Sequence, residues 1–379
     1  MISNLIPADY SSLAQCVTES DLVFESVAEN LETKIFITNQ IGHYLRDDAV
    51  ACSGTSGLSI TTLAEVLPEH LRSNYFGIHM FNPPYSLTLC EMIPTKYTNR
   101  KLFNKTKNYL SQILLRTVVE VKDSPAFLGN RIGFQFINEV LQYAERYKYS
   151  GGIDYMDAIL GPFTGRSMAP LTTSDFVGLD VHKAIVDNIY TNTNDFAHKT
   201  FVLPEFAGKL INEGRLGRKT NGGLYKMETY DNGLKSLTVY DIITGTYREK
   251  MHYSFPFVEA MIHDFRIGNY KSAFKTLVDN RSIESEMCLE FLIKYVIYSL
   301  VATEAVGYNI HSADDVMATG FNWCPPLAVI EALSGIIDFK SLVKERLDKS
   351  VLDVVDIDRL LANIEPSKYD YRMYFRSAR

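Results

Sequence analysis

The chain has 379 residues, 46% hydrophobic and 12% aromatic, enough for two or three domains with cores of their own. A formal net charge of −7 and a pI near 5.7 argue against nucleic acid or an anionic membrane as the main partner. The five cysteines (Cys16, Cys52, Cys90, Cys288 and Cys324) are odd in number, scattered and without a Cys-x-x-Cys pair, so they carry no disulfide or metal signal and suit a reducing compartment.

In chain order, residues 21–24 (Asp-Leu-Val-Phe) read as a short buried strand, after which residues 25–31 lead into a helix ending near Leu45. The first ten residues are no signal peptide, and no apolar stretch reaches the length of a membrane span, so a soluble, cytoplasmic protein is expected. Residues 50–53 read as a second strand, ending in Gly-Thr-Ser-Gly (54–57). Ser59 is placed to cap a helix that Pro68 stops.

Two apolar runs follow, 77–81 and 87–93. Between them, Asn82-Pro83-Pro84-Tyr85-Ser86 breaks regular structure, because proline lacks the amide donor and fixes its dihedral. The first run carries a histidine, His79, and the second a carboxylate, Glu91. Folded back as a hairpin centred near Tyr85, the runs set His79 opposite Glu91. A carboxylate in an apolar strand needs a partner, because burying it alone is costly. A histidine beside it is held in one tautomer with raised basicity, which makes a general base. Taken singly, each also reads as a structural core residue; the joint pattern favours the base.

A helix at 99–114 and a strand at 117–122 complete an alternation that reads as a parallel, doubly wound sheet. At Asp123-Ser124-Pro125 the character changes. Ser124 as cap and Pro125 in the first helical position open a long helix to about Tyr147. Asn130 falls on its apolar face with Phe134, Ile137 and Leu141, so its amide is either satisfied by a neighbour or offered to a ligand. Helices and turns continue to Lys226, with 214–223 (Gly-Arg-Leu-Gly-Arg-Lys-Thr-Asn-Gly-Gly) as a loop. Residues 237–249 read as a hairpin turning at Thr244-Gly245, and helices resume with a strongly apolar one at about 286–306. A faint repeat links 154–178 with 314–335: Pro170-Leu171 and Pro326-Leu327 are each followed, four residues after the Leu, by an acid, Asp175 and Glu331. The tail, 367–379, is expected to pack loosely. The chain thus reads as α/β and then all-α, in three parts: 1–122, 123–230 and 231–379.

In order and spacing the motifs resemble the L-3-hydroxyacyl-CoA dehydrogenases, NAD-dependent oxidoreductases of fatty-acid β-oxidation. The likeness runs through Asp-Leu-Val-Phe-Glu-Ser-Val-Ala-Glu-Asn-Leu (21–31), Ser-Gly-Thr-Ser-Gly-Leu (53–58), Gly-Ile-His-Met-Phe-Asn-Pro (77–83) and Glu91. It continues through Lys-Asp-Ser-Pro-Ala-Phe-Leu-Gly-Asn-Arg (122–131), Gly-Leu-Asp (178–180) and Gly-Arg-Leu-Gly-Arg-Lys-Thr (214–220). It implies a Rossmann-like sheet, a helical C-terminal domain and, over 237–335, a second helical half-repeat. It also implies oxidation of the 3-hydroxyl of an acyl-CoA to a ketone with NAD as hydride acceptor. His79 would be the base, Glu91 its orienting carboxylate, and Ser56 and Asn130 the groups on the reacting oxygen. Glu29, Lys34, Ser56, Asn82 and Lys219 would lie near NAD; otherwise Lys34 and Lys219 read as ordinary solvated lysines. No metal is implied, and a homodimer is.

Two departures qualify this. Gly54 stands where the family has asparagine, and no Gly-x-Gly-x-x-Gly loop precedes the strand at Asp21. The dinucleotide-binding sheet is therefore expected to be truncated at its start, with exposed strand edges. A partner or missing segment would supply the rest. The alternatives to the dehydrogenase are a non-catalytic acyl-CoA-binding or scaffold subunit, and a dehydrogenase of smaller hydroxy acids.

Overall fold

In the computed structural model, which describes residues 4–229 and 233–375, all five strands of the first part form. They are β1 (Leu22–Glu25), β2 (Val50–Ser53), β3 (Tyr75–Met80), β4 (Leu89–Ile93) and β5 (Thr117–Glu120), side by side in chain order. β1, β2 and β3 are parallel, as are β4 and β5, but β3 and β4 are antiparallel. This antiparallel step is the hairpin expected between the two apolar runs, and it departs from the parallel pairing of the other strands for a simple reason. The link between β3 and β4 is too short for a crossover, which takes a dozen or more residues.

An unanticipated helix, α1 (Leu13–Glu19), precedes β1 and buries Val17. α2 (Leu31–Gly42) starts at Asn30, whose side chain accepts from the Thr33 amide at 2.9 Å. α3 (Ile60–Glu65) starts at Ser59, as the sequence predicts, with the Thr62 amide on its hydroxyl. α4 (Arg100–Asn108) is capped by Asn99 and continues as a π-turn over Tyr109–Ile113. Val50, Cys52, Phe76, Ile78, Cys90 and Met92 from the middle strands, with Phe103 and Leu110, make the core. Both faces of β2, β3 and β4 are covered, which explains their nearly unbroken apolar runs.

These residues form one compact unit, reaching to Phe127 and including Val306–Tyr308; the remainder of the chain forms a second. The expected helix start at Ser124-Pro125 is corrected. Ala126 and Phe127 take left-handed backbone angles (φ 58° and 53°), which a helix cannot contain, so α5 begins at Gly129 and runs to Arg146. α6 (Ile153–Ile159), α7 (Pro170–Val177), α8 (Leu179–Asn192) and α9 (Glu205–Asn212) follow. The hairpin exists as β7 (Lys235–Tyr240) and β8 (Tyr247–Glu249), but β7 also pairs with β6 (Tyr225–Thr229), giving three strands. The proposed boundary at 230/231 lies outside the described residues, as does the end of the tail. Beyond the strands come α10 (Pro256–Arg266), α11 (Tyr270–Asp279), the buried α12 (Ile283–Val306), α13 (Ser312–Val316) and α14 (Pro326–Ser334).

The repeat is visible in how its acids are used. Asp157 accepts from the amide of Leu171 at the start of α7, and Asp314 from that of Leu327 at the start of α14. Each also holds a hydroxyl from further along the chain, Tyr225 and Ser367 respectively. Asp175 then accepts from the Leu224 amide, and Glu331 from the Ser367 amide. No helix among the described residues is long and apolar enough to cross a membrane.

Candidate active site

The turn after β3 sets His79 directly across from Glu91, the register the hairpin centre at Tyr85 predicts. His79 Nδ1 is 2.7 Å from Glu91 Oε2. An ionised carboxylate only accepts, so by chemistry Nδ1 carries the proton and Nε2 keeps its lone pair. Both side chains are buried, Glu91 completely. The imidazole packs against Phe81 and Phe127, whose ring centres lie 4.7 and 5.5 Å away. In such surroundings the charge-assisted bond is strengthened. The pair is built to take a proton at Nε2 and to hold the resulting charge beside a carboxylate.

The C-terminal ends of the parallel strands β1, β2 and β3 lie along one side of the sheet, where open α/β sheets bind ligands. Glu25 ends β1 and is buried. It accepts from the Val27 amide at 2.6 Å, from Ser53 Oγ at 2.5 Å and from Lys34 Nζ at 2.9 and 3.2 Å. Lys34 also reaches Glu29 at 3.4 Å. Glu29 in turn accepts from Thr55 Oγ1 at 2.5 Å and from the Ser56 amide at 2.9 Å. One network thus ties the 53–56 turn to the turn between β1 and α2.

Lys34 is 1% exposed, which corrects its reading as a solvated lysine. Lys219 fits that reading: it is 42% exposed and bonds Asp180 at 2.7 Å. At Gly54 a larger side chain would need the exposed Phe24 ring to shift. A Cβ there would stand 2.8 Å from the Phe24 ring and 3.2 Å from the Glu25 carbonyl oxygen.

Asn82 is exposed in the turn after β3, joined to Pro83 by a cis peptide. Asn130 is nearly buried in the first turn of α5. Glu29, Lys34, Ser56, His79, Asn82 and Glu91 therefore share the first unit, while Asn130 and Lys219 belong to the second.

Three residues of this region escaped the sequence reading. Glu25 and Ser53 look like strand ends, and only the network reveals them. Asp123 accepts from Ser59 Oγ and from the amides of Ile60 and Thr61 at 3.1, 3.0 and 2.8 Å, and so fixes the start of α3. A partner some sixty positions away leaves no trace in local spacing. Burial pushes the Cys90 thiol up to about 12 and Cys52 well up, so neither is a nucleophile at neutral pH. Among the described residues no three His, Cys, Asp or Glu side chains are grouped to hold a metal.

Residues 6–124 match the family model described as the NAD binding domain of 3-hydroxyacyl-CoA dehydrogenase, and residues 127–227 match its C-terminal domain. A probable 3-hydroxyacyl-CoA dehydrogenase of Bacillus subtilis is 29% identical over 322 residues, covering 85% of this chain and 40% of its own length. The human mitochondrial hydroxyacyl-coenzyme A dehydrogenase is 31% identical over 219 residues, 58% of this chain and 68% of that protein. A crystal structure of 3-hydroxybutyryl-CoA dehydrogenase from Escherichia coli shares the fold, with a TM-score of 0.57 at 19% identity over 87% of this chain and 78% of that one. The chain spans about two fifths of the length of the relatives that match most of it.

Proposed function

The chain belongs to the 3-hydroxyacyl-CoA dehydrogenase family, and from that premise we propose that it oxidises the 3-hydroxyl of an acyl-CoA to a ketone, with NAD as hydride acceptor. The observation that carries the reading is the buried His79–Glu91 pair on facing strands. In the oxidative direction His79 Nε2 takes the hydroxyl proton as the C3 hydrogen leaves as hydride, and it returns the proton in reverse. Glu91 keeps the ring in the productive tautomer and stabilises the imidazolium. Ser56 and Asn130 hold the reacting oxygen. NAD, when bound, supplies the electron-pair acceptor. The residues suit its nicotinamide-ribose end: Glu29 is partly exposed and fixed by Lys34, Ser56 sits in a turn that Glu29 holds, and Asn82 is exposed after β3. Lys34 bears on the cofactor through Glu25 and Glu29, and Lys219 is a further cofactor contact in this proposal.

In this reading residues 1–122 are the cofactor domain, 123–230 the helical substrate domain and 231–379 an appended sheet and second helical repeat. A homodimer and a cytoplasmic location belong to the same proposal; sedimentation velocity checks the first. The rival reading is an acyl-CoA-binding subunit without redox activity. Oxidation of NADH with acetoacetyl-CoA separates the two. We expect turnover that falls by roughly 10²- to 10⁴-fold in His79→Gln. A folded protein that binds acetoacetyl-CoA in calorimetry yet oxidises no NADH would overturn the dehydrogenase.

A further inference from the structure

Between Glu91 and Glu120 the chain contains no acidic residue but six cations, Lys96, Arg100, Lys101, Lys105, Lys107 and Arg116, in a protein whose net charge is −7. This stretch forms α4 and the π-turn beyond it. Two of the cations are spent, Lys96 on Glu65 and Arg100 on Glu120. Arg116 bonds only main-chain oxygens, of Pro84 and Leu87, so its charge is not neutralised there. Lys101 and Lys105 stand one turn apart on the exposed side of α4, and Lys107 is half-buried on another face of the helix, one turn past Phe103.

The end of this element is apolar and exposed. Ile113 is 65%, Leu114 41% and Leu115 75% exposed, with Tyr109 also outside and Leu115 in the left-handed region (φ 52°). Tyr85 of the β3–β4 turn, at 88%, joins the same end of the sheet, because Arg116 bonds Pro84 and Leu87 and the Thr117 amide bonds Thr88. Apolar tip, aromatic residues and unpaired cations together match the chemistry of one occupant. A headgroup layer offers negative charge above hydrocarbon, and Lys107 lies roughly 8 Å behind Ile113 along the helix axis, about the depth to which interfacial elements insert.

We propose that the α4 tip is a docking surface for an anionic lipid bilayer, with Ile113, Leu114 and Leu115 entering the acyl boundary. Lys101, Lys105, Lys107 and Arg116 then face the headgroups. This is a surface contact and needs no membrane-spanning helix. It does not depend on the dehydrogenase reading. The overall net charge is no bar, since at physiological ionic strength charges act over about 8 Å and the patch is felt before the rest of the molecule. Each surface lysine contributes about a fivefold factor to binding at an anionic interface.

The test is co-sedimentation of the full chain with vesicles, either phosphatidylcholine alone or phosphatidylcholine with phosphatidylglycerol at two fifths of the lipid. The expected result is binding only to the anionic vesicles, weakened by salt. Lys101→Glu/Lys105→Glu/Lys107→Glu should lower it by about a hundredfold. Leu114→Ser/Leu115→Asn, with asparagine suited to the left-handed position, should also abolish it while the far-UV circular dichroism stays unchanged. Absent binding by the unmodified chain, or binding that ignores both variants, would overturn the proposal. So would a dimer in sedimentation velocity that Leu114→Ser/Leu115→Asn dissociates, since the tip would then be covered by a second copy.

Discussion

Lys34→Met tests the network behind the 53–56 turn. Methionine fills nearly the same volume, so no cavity opens and the change isolates charge. The substitution leaves Glu25, fully buried, with the Val27 amide and Ser53 hydroxyl but no counter-charge. Breaking one side of a buried ion pair costs about 3–5 kcal/mol. Two retained hydrogen bonds place this case near the lower end, about 3 kcal/mol, a large share of the 5–15 kcal/mol that holds a typical domain together. In Glu25→Gln/Lys34→Met the stranded charge is gone while the amide oxygen still accepts, so the double variant should recover about 2 kcal/mol of that loss. The assay has to report on the first unit. The single tryptophan, Trp323, lies in the second, so hydrogen–deuterium exchange of the β1 and β2 amides is the suitable readout. A loss below about 1 kcal/mol, or penalties that simply add in the double variant, would show that Glu25 and Lys34 are not coupled as their geometry requires.

Glu91→Gln keeps the shape of the pair but removes the charge that stabilises imidazolium; turnover should fall about 10²-fold with unchanged melting, and an unchanged rate would remove Glu91 from the mechanism. Burial raises Asp175 and Asp314 from 3.8 to about 6. Their folded values exceed the unfolded ones, so the stability they contribute is fully present below about pH 4 and is lost as pH rises through about 6. Asp175→Asn/Asp314→Asn should therefore flatten the fall in stability across pH 4–6, by up to about 2–3 kcal/mol per site; Trp323 fluorescence during urea unfolding measures it, and an unaltered slope refutes the assignment. Ala126→Gly removes a side chain from a left-handed position and should add roughly 1 kcal/mol, seen as a rise in Tm of about 2–4 °C; no rise would mean that Ala126 carries no backbone strain. Gly133→Ala should destabilise by about 1–3 kcal/mol although alanine is the better helix former, because its Cβ would stand 2.3 Å from the Phe321 ring; Phe321→Leu should restore part of the loss, and a neutral Gly133→Ala would show that the ring moves freely.

The strands and the His79–Glu91 register were legible because both rest on local rules. Apolar runs mark strands that are covered on two faces, and a short proline-rich link forces an antiparallel return, so the pairing follows from arithmetic about Tyr85. The start of α5 was not legible. Ser124-Pro125 is a sound helix opening, and the left-handed pair at Ala126 and Phe127 that cancels it has no signature in those residue types. β6 was passed over for a related reason: it pairs with a strand ten positions on, and its own residues, Tyr-Lys-Met-Glu-Thr, are half polar. The alternative reading of Lys34 as a solvated lysine failed because lysine is almost never buried, and its two carboxylates lie at the end of a strand and in a turn, where spacing does not connect them.

What separates a buried acid that does chemistry from one that builds the fold is therefore its partner, not its burial. Asp157, Asp175 and Asp314 are as enclosed as Glu91, but their hydrogen bonds come from helix-start amides, strand amides and fixed hydroxyls, none of which gives up a proton at neutral pH. Glu91 faces an imidazole, the one side chain whose ordinary titration lies near neutrality. Glu25 is intermediate: its partner is a buried ammonium rather than an imidazole, so the pair positions the 53–56 turn and its neighbours. Burial does not distinguish these five acids, and only the register of β3 against β4 singles out the one placed beside a base.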